Sequence, residues 1–433
     1  MLAYRAGVAL RVGQFHADVR QLEAQLGATR HVLNACADRY QFAVGLAACV
    51  ISGRVSLLPS THTPAVIHAL RGFAPDAICL TDSAACSIDL PQLRYPTGPA
   101  APSGSTPLPQ IPADRLVAYV FTSGSTGTPV PYRKTWGRLV RCVQIEARRL
   151  GLEPAKHWSV LATVPPQHMY GLESSVLMCL AGGHALCAER PFYPADIAAC
   201  LAQLPRPRAL ITTPVHLRAL VSFGEQLPAI DLIVSATAPL TQQLALEAER
   251  HFGAPLREIY GSTETGEIAA RRPTQGAEWQ LWPGVRFSEV DGETWADGGH
   301  IEQPTRLCDV IEVTGPERFL LHGRVADLVN IAGKRSSLAY LNHQLNSIDG
   351  VLDGVFFHAD APAHGEVVRV GACVVAPQLD ARRLMRELRQ RIDPVFLPRP
   401  LLFVAQLPRN DTGKLPREAL QALAAAHART SAV

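Results

Sequence analysis

Leu116-Val-Ala-Tyr-Val-Phe121, running straight into Thr122-Ser-Gly-Ser-Thr-Gly127, is the stretch on which the fold turns. The first six residues form a short apolar run closed by small polar residues, the pattern of a buried strand. In the loop, Gly124 and Gly127 let the backbone turn sharply and bring N–H groups close to an anion. Thr122, Ser123, Ser125 and Thr126 add four hydroxyl donors. A strand feeding such a loop suits a polyphosphate, although no Gly-Lys-Ser/Thr follows, so this is not a Walker loop. By letters alone it is equally a flexible turn. Ser103-Gly-Ser-Thr106 is nearly identical, but lies in the Pro-, Gly- and Ser-rich connection Thr97–Pro112 with no strand before it.

Downstream, short apolar runs alternate with helical segments, which predicts an α/β fold with a largely parallel, doubly wound sheet. Expected strands are Leu116–Phe121, Ser159–Val164, Ala209–Thr213, Leu232–Ala236 and Leu256–Tyr260. Expected helices fill Gly171–Leu180, Pro194–Leu204, Pro214–Ser222 and Thr241–Phe252. After Gly323 the pattern becomes a smaller α+β one: a hairpin, strands near Val355 and over Val368–Val375, and a helix from Asp380. The expected division is a large N-terminal domain of mostly parallel layered sheets, 1–324, and a small α+β domain, 325–433. The length of 433 residues fits more than one core.

Composition narrows the function. Apolar residues make up 47% and charged ones 18%, which suits a globular protein rather than a disordered one. A formal net charge of +3 gives no strong pull toward nucleic acid or an anionic membrane. The ten cysteines are scattered, without the spacings of a disulfide framework or zinc site. With neither a signal-peptide pattern nor an apolar run of spanning length, the expectation is a cytoplasmic enzyme without a membrane span. Lysine occurs only at 134, 156, 334 and 414, in a chain that otherwise uses arginine.

Two more motifs carry chemistry. Tyr260-Gly-Ser-Thr-Glu-Thr265 follows an expected strand and so sits at a carboxyl edge, where α/β enzymes bind ligands. Glu264 there is a natural ligand for Mg²⁺, which takes one or two carboxylates plus phosphate oxygens; a solvated turn glutamate reads the same. Near the end, Gly413 makes a tight turn that presents Lys414, either a catalytic cation or a surface lysine.

In this order, from about Gly45 to Arg417, the motifs resemble the acyl-adenylate-forming superfamily of acyl-CoA synthetases, aryl-acid ligases, adenylation domains and luciferases. The resemblance implies ATP and Mg²⁺ as cofactors, and a carboxylic acid activated as an acyl-adenylate before transfer to a thiol. Thr122–Gly127 then looks like the ATP phosphate loop. Pro165–Gly171, with His168, Tyr170 and Gly171, is similar to the segment bordering the acid pocket, as is Ser235. Ala236, Thr237, Ala238 and Pro239 resemble the stretch flanking adenine, and Tyr260, Gly261 and Ser262 lead into Thr263 and the magnesium-binding Glu264. Asp309, fifteen residues before Arg324, resembles the ribose-binding aspartate paired with a Gly-Arg junction. Gly333, Lys334 and Arg335 are similar to the loop that enters the site for thiol transfer, and Lys414 matches the lysine of adenylation.

The chain departs from the pattern at three places. Val130 stands where the phosphate loop usually carries lysine, with Arg133 and Lys134 downstream either serving in its stead or facing solvent. Ala326 occupies the usual Asp hinge, and Ala339–Leu341 replaces an acidic Glu-x-Glu. A short N-terminal part and the segment Pro131-Tyr-Arg-Lys-Thr-Trp136 are similar to ligases that load 4-hydroxybenzoate onto an acyl carrier protein in aryl-polyene pigment pathways. The acceptor is accordingly expected to be a carrier protein, supplied in trans, or CoA. The other readings are a fatty or aryl acyl-CoA synthetase and a degenerate adenylation-fold binding protein.

Overall fold

The computed structural model describes residues 1–98, 100, 109–123, 129–324, 327–331, 334–358, 369–410 and 415–430. Gly124, Ser125, Thr126, Gly127, Ala326, Gly333 and Lys414 lie outside them, as do the side chains of Ser123, Arg324 and Arg335.

Each expected strand forms, within two residues of its expected ends: Leu116–Ser123, Ser159–Ala162, Arg208–Thr212, Leu232–Ser235 and Leu256–Ser262. Every residue of Ser159–Ala162 and Leu232–Ser235 is buried, as expected of strands covered on both faces. In the larger sheet, Ala3–Arg5, Ala185–Cys187, Ser159–Ala162, Arg208–Thr212, Leu232–Ser235 and Leu256–Ser262 run parallel in that spatial order. Antiparallel strands Gly266–Arg271, Trp279–Leu281, Arg318–Arg324 and Asp309–Gly315 extend it beyond Leu256–Ser262.

Leu116–Ser123 belongs to a different layer. It pairs in parallel with Val55–Leu58, which continues through His31–Asn34 and Ile78–Thr81 to Gln92–Arg94, while Pro129–Thr135 closes the other side antiparallel. The four N-terminal strands are three or four residues long, too short for periodicity to reveal.

Helices start where their caps dictate. Thr213, Thr241 and Asp380 accept from His216 N, Leu244 N and Arg383 N, and Pro194 and Pro214 open their helices. Gly171–Leu180 differs from expectation. The helix begins at Met169 and passes through a π-helical turn, Leu172–Leu177, before Met178–Gly182. Single π turns concentrate at functional sites.

Beyond residue 327, the hairpin Leu328–Ile331/Lys334–Ser337, the helices Leu338–Asn346 and Ala381–Arg391, and the sheet Asp353–His358, Val370–Val375 and Leu401–Phe403 enclose their own core of Leu341, Leu345, Phe356, Leu384 and Leu388. The architecture is thus mixed α/β, with a large N-terminal sheet domain and a smaller C-terminal one. No helix among the described residues is long and apolar enough to cross a membrane.

Candidate active site

Because the central strands run parallel, their carboxyl ends share one edge, and three sequence-distant segments that carry candidate residues leave the sheet there. Ser159–Ala162 leads to His168 and the π turn; Leu232–Ser235 leads to Ala236–Pro239; Leu256–Ser262 leads to Thr263 and Glu264. Gly171 has no room for a side chain, since a Cβ would stand 2.0 Å from the Pro165 carbonyl oxygen. Tyr170 is buried, and its phenol donates to the carbonyls of Thr212 and Val234, 3.2 and 3.1 Å away, locking the segment to the ends of two strands. Ser235 is fully buried, whereas His168 is half-buried.

Thr237 has φ +80°, a conformation that β-branched side chains avoid. Held strain of this kind costs on the order of 1–3 kcal/mol and clusters at ligand sites. Thr237→Gly should therefore raise the thermal midpoint, by the equivalent of about 1 kcal/mol after glycine's extra unfolded-state entropy. A lower midpoint in a melting experiment would mean that the threonine's contacts outweigh the strain.

The other side of the edge is built by the antiparallel extension. Asp309 and Arg324 are direct cross-strand partners, so their fifteen-residue spacing becomes a contact position. Asp309 Oδ2 accepts from the Tyr260 phenol at 2.7 Å. Tyr260 in turn packs against Trp279 and Phe319, with ring centroids 5.7 Å from each.

The strand after the phosphate loop reaches the same place. Tyr132 faces the Glu264 carboxylate and the Thr122 hydroxyl, and burial together with Glu264's charge raises its pKa. Lys134 is 4% exposed, and its Nζ donates to the Glu264 carbonyl at 3.4 Å. Solvent exposure, one of the two options for Arg133 and Lys134, holds only for Arg133. Burial lowers the Lys134 pKa, opposed first by Glu173.

Sequence reasoning missed the polar layer beneath this edge. Glu146, Glu173 and Glu267 are all buried, with Ser174 Oγ donating to Glu267 Oε1 at 2.6 Å. Burial pushes Glu146 up to about 8 and Glu173 up to about 7, with Glu267 also raised, and the Lys134 charge works against the rise at Glu173. His300, buried beside Lys134, is lowered to about 4 by burial first and by that charge second. Arg39, also missed, is fully buried, and no spacing pointed to any of these residues.

On the C-terminal side, Lys334 is exposed and forms an ion pair with Asp393 at 2.5 Å. Ala339–Leu341 lies in helix Leu338–Asn346, with Leu341 in the core. Along Ala381–Arg391, Leu384 and Leu388 are buried, while Arg382, Arg383, Arg386 and Arg389 are exposed.

A family model described as AMP-binding enzyme matches residues 21–292. Over 230 residues the chain is 34% identical to a 4-coumarate–CoA ligase of Rhodobacter capsulatus, covering 53% of this chain and 57% of that protein. A 4-chlorobenzoate–CoA ligase of an Arthrobacter species is 26% identical over 375 residues, 76% of this chain and 70% of that one. In three dimensions the chain is similar to the o-succinylbenzoate coenzyme A synthetase of Bacillus subtilis in complex with ATP and magnesium. The TM-score is 0.79 at 18% identity, covering 94% of this chain and 93% of the other, a likeness of fold.

Proposed function

We propose that this chain, which belongs to the AMP-binding enzyme family, is an ATP-dependent ligase that adenylates a carboxylic acid, releases pyrophosphate and passes the acyl group to a thiol. The observation that carries the reading is the convergence at one sheet edge of Glu264, the bonded pair Tyr260–Asp309 and the His168 segment. A triphosphate with Mg²⁺ fits the groups found there. Glu264 offers a single half-exposed carboxylate with hydroxyl neighbours, and Mg²⁺ takes one or two carboxylates and completes its shell with phosphate oxygens and water. Bound there, Mg²⁺ supplies charge neutralisation at the phosphates.

In this reading Thr122–Gly127 and Thr263 donate to the phosphates, Ala236–Pro239 and Tyr260 flank adenine, and Asp309 and Arg324 hold the ribose side. His168, Tyr170, Gly171 and Ser235 shape the acid pocket, Tyr170 and Gly171 by fixing its backbone. Lys414 assists adenylation, and Gly333, Lys334 and Arg335 serve the thiol step. Residues 1–324 form the adenylation unit and 325–433 a lid that moves between the two half-reactions. The acid step needs these cations, because a carboxylate must approach an anionic α-phosphate. The thiol step then uses AMP as a good leaving group.

The acid is aromatic and 4-hydroxybenzoate-like, a reading supported by relatives named for 4-coumarate and 4-chlorobenzoate. The acceptor is CoA or the phosphopantetheine of a carrier protein. Either is polyanionic or acidic, and the exposed arginines of Ala381–Arg391 offer complementary charge. The test is a mass-spectrometric assay with ATP, Mg²⁺ and 4-hydroxybenzoate, 4-coumarate or a fatty acid, offered CoA or holo-carrier protein. A thioester of an aromatic acid is expected. Pyrophosphate exchange with none of the acids would leave a nucleotide-binding protein of the same fold, the alternative that Val130 in the phosphate strand favours.

A further inference from the structure

The strand Pro129–Thr135 alternates its side chains, so Val130, Tyr132 and Lys134 point to one face. Burial deepens along that face: Val130 is 39% exposed, Tyr132 half-buried and Lys134 4% exposed. Both inner residues meet the same partner, since Tyr132 faces the Glu264 carboxylate while Lys134 donates to the Glu264 carbonyl.

Two hydrogen bonds close the turn that carries Glu264, and His300 reaches the Thr265 backbone from outside it. Ser262 N donates to Thr265 Oγ1 and Thr265 N to Ser262 Oγ, both at 3.2 Å. The next residue, Gly266, has φ +73°, and a Cβ there would stand 2.9 Å from Glu173 Oε1. Lys134 is therefore the long-range hydrogen bond seen at the Glu264 backbone among the described residues, 130 positions away in sequence. Its side chain lines a small cavity of about 10 Å³ together with Arg138, Glu173, Thr265 and His300.

We propose that Lys134 is a positioning residue that fixes the Glu264 turn from beneath, so that the strand after the phosphate loop sets where the Glu264 carboxylate stands. The inference rests on the ligase reading, in which Glu264 is the magnesium ligand. Removing only the lysine would strand Glu173 in the interior, at a cost to folding unrelated to the proposal. The informative variant is therefore the pair Lys134→Met with Glu173→Gln, which removes both charges and keeps volume.

Nucleotide binding is measured by calorimetry without any acid, once with excess Mg²⁺ and once with excess EDTA, alongside a thermal melt. The expected result is a melting point close to wild type, a Kd for Mg-ATP about tenfold weaker, and an unchanged Kd for ATP in EDTA. Equal Mg-ATP affinity in variant and wild type would overturn the proposal. So would an equal loss with and without Mg²⁺, which would make the effect one on the whole pocket. A wild-type protein that binds no Mg-ATP would instead remove the ligase reading on which the proposal stands.

Discussion

Lys414→Ala should slow ATP–pyrophosphate exchange by a hundred- to a thousandfold while leaving transfer from preformed acyl-adenylate to the thiol intact. The lysine is one of four in the chain, within the segment Thr412-Gly-Lys414, and in the proposed reading it assists adenylation. A unit charge about 4 Å from the developing negative charge, at an effective dielectric near 20, is worth about 4 kcal/mol before desolvation. Losing most of that corresponds to roughly two to three decades in rate. The charge matters while carboxylate and α-phosphate approach each other; in the thiol step no such repulsion remains. Exchange and single-turnover transfer are measured on the same preparation, the second with chemically prepared adenylate. Failure of both in a folded variant would rule out separate conformations for the two half-reactions. Normal exchange would make Lys414 a surface residue.

What the sequence disclosed follows the distance over which each signal acts. Tyr260–Glu264 stood out because strand and turn are contiguous, whereas Asp309 and Arg324 were singled out by resemblance alone, and the structure makes them cross-strand partners. The alternation after Leu116 revealed the parallel half of the large sheet. It could not reveal that Leu116–Ser123 belongs to a second sheet, because its partner Val55–Leu58 is only four residues long. The π turn was illegible too, since one extra residue per turn barely shifts an apolar pattern. Lys134 read equally as a phosphate cation or as a solvated lysine, whereas on the strand Pro129–Thr135 it is buried. Burial of Glu146, Glu173 and Glu267 runs against the usual exposure of charged residues, so only the packed structure shows that they share one layer.

Arg39→Met should lower stability by about 3 kcal/mol or more and weaken acid activation with it. Arg39 opens the helix Arg39–Ile51, whose N-cap Asp38 accepts from Gln41 N at 2.9 Å, and its side chain is fully buried. The guanidinium donates to the carbonyls of Ala162 and Val164, 2.8 and 3.0 Å away, and to Ser175 Oγ at 2.8 Å. Those acceptors belong to the end of strand Ser159–Ala162, the backbone just beyond it and the π turn, so one side chain ties an N-terminal helix to the segment that carries His168. Burial lowers its pKa to about 10, which still leaves it charged at neutral pH. Methionine fills similar volume but donates nothing, leaving two carbonyls and a hydroxyl buried without their donor. Each unsatisfied group costs roughly 1–3 kcal/mol. Arg39→Lys keeps the charge but replaces a planar fork with a point donor, so it should recover part of the loss at most. Thermal unfolding reads the stability, and the KM for the acid in pyrophosphate exchange reads the segment's position. If Arg39→Met melts within the equivalent of about 1 kcal/mol of wild type, ordered water has taken the guanidinium's place and the tie is dispensable. If stability falls while the acid KM stays constant, Arg39 holds the two layers together without setting the pocket.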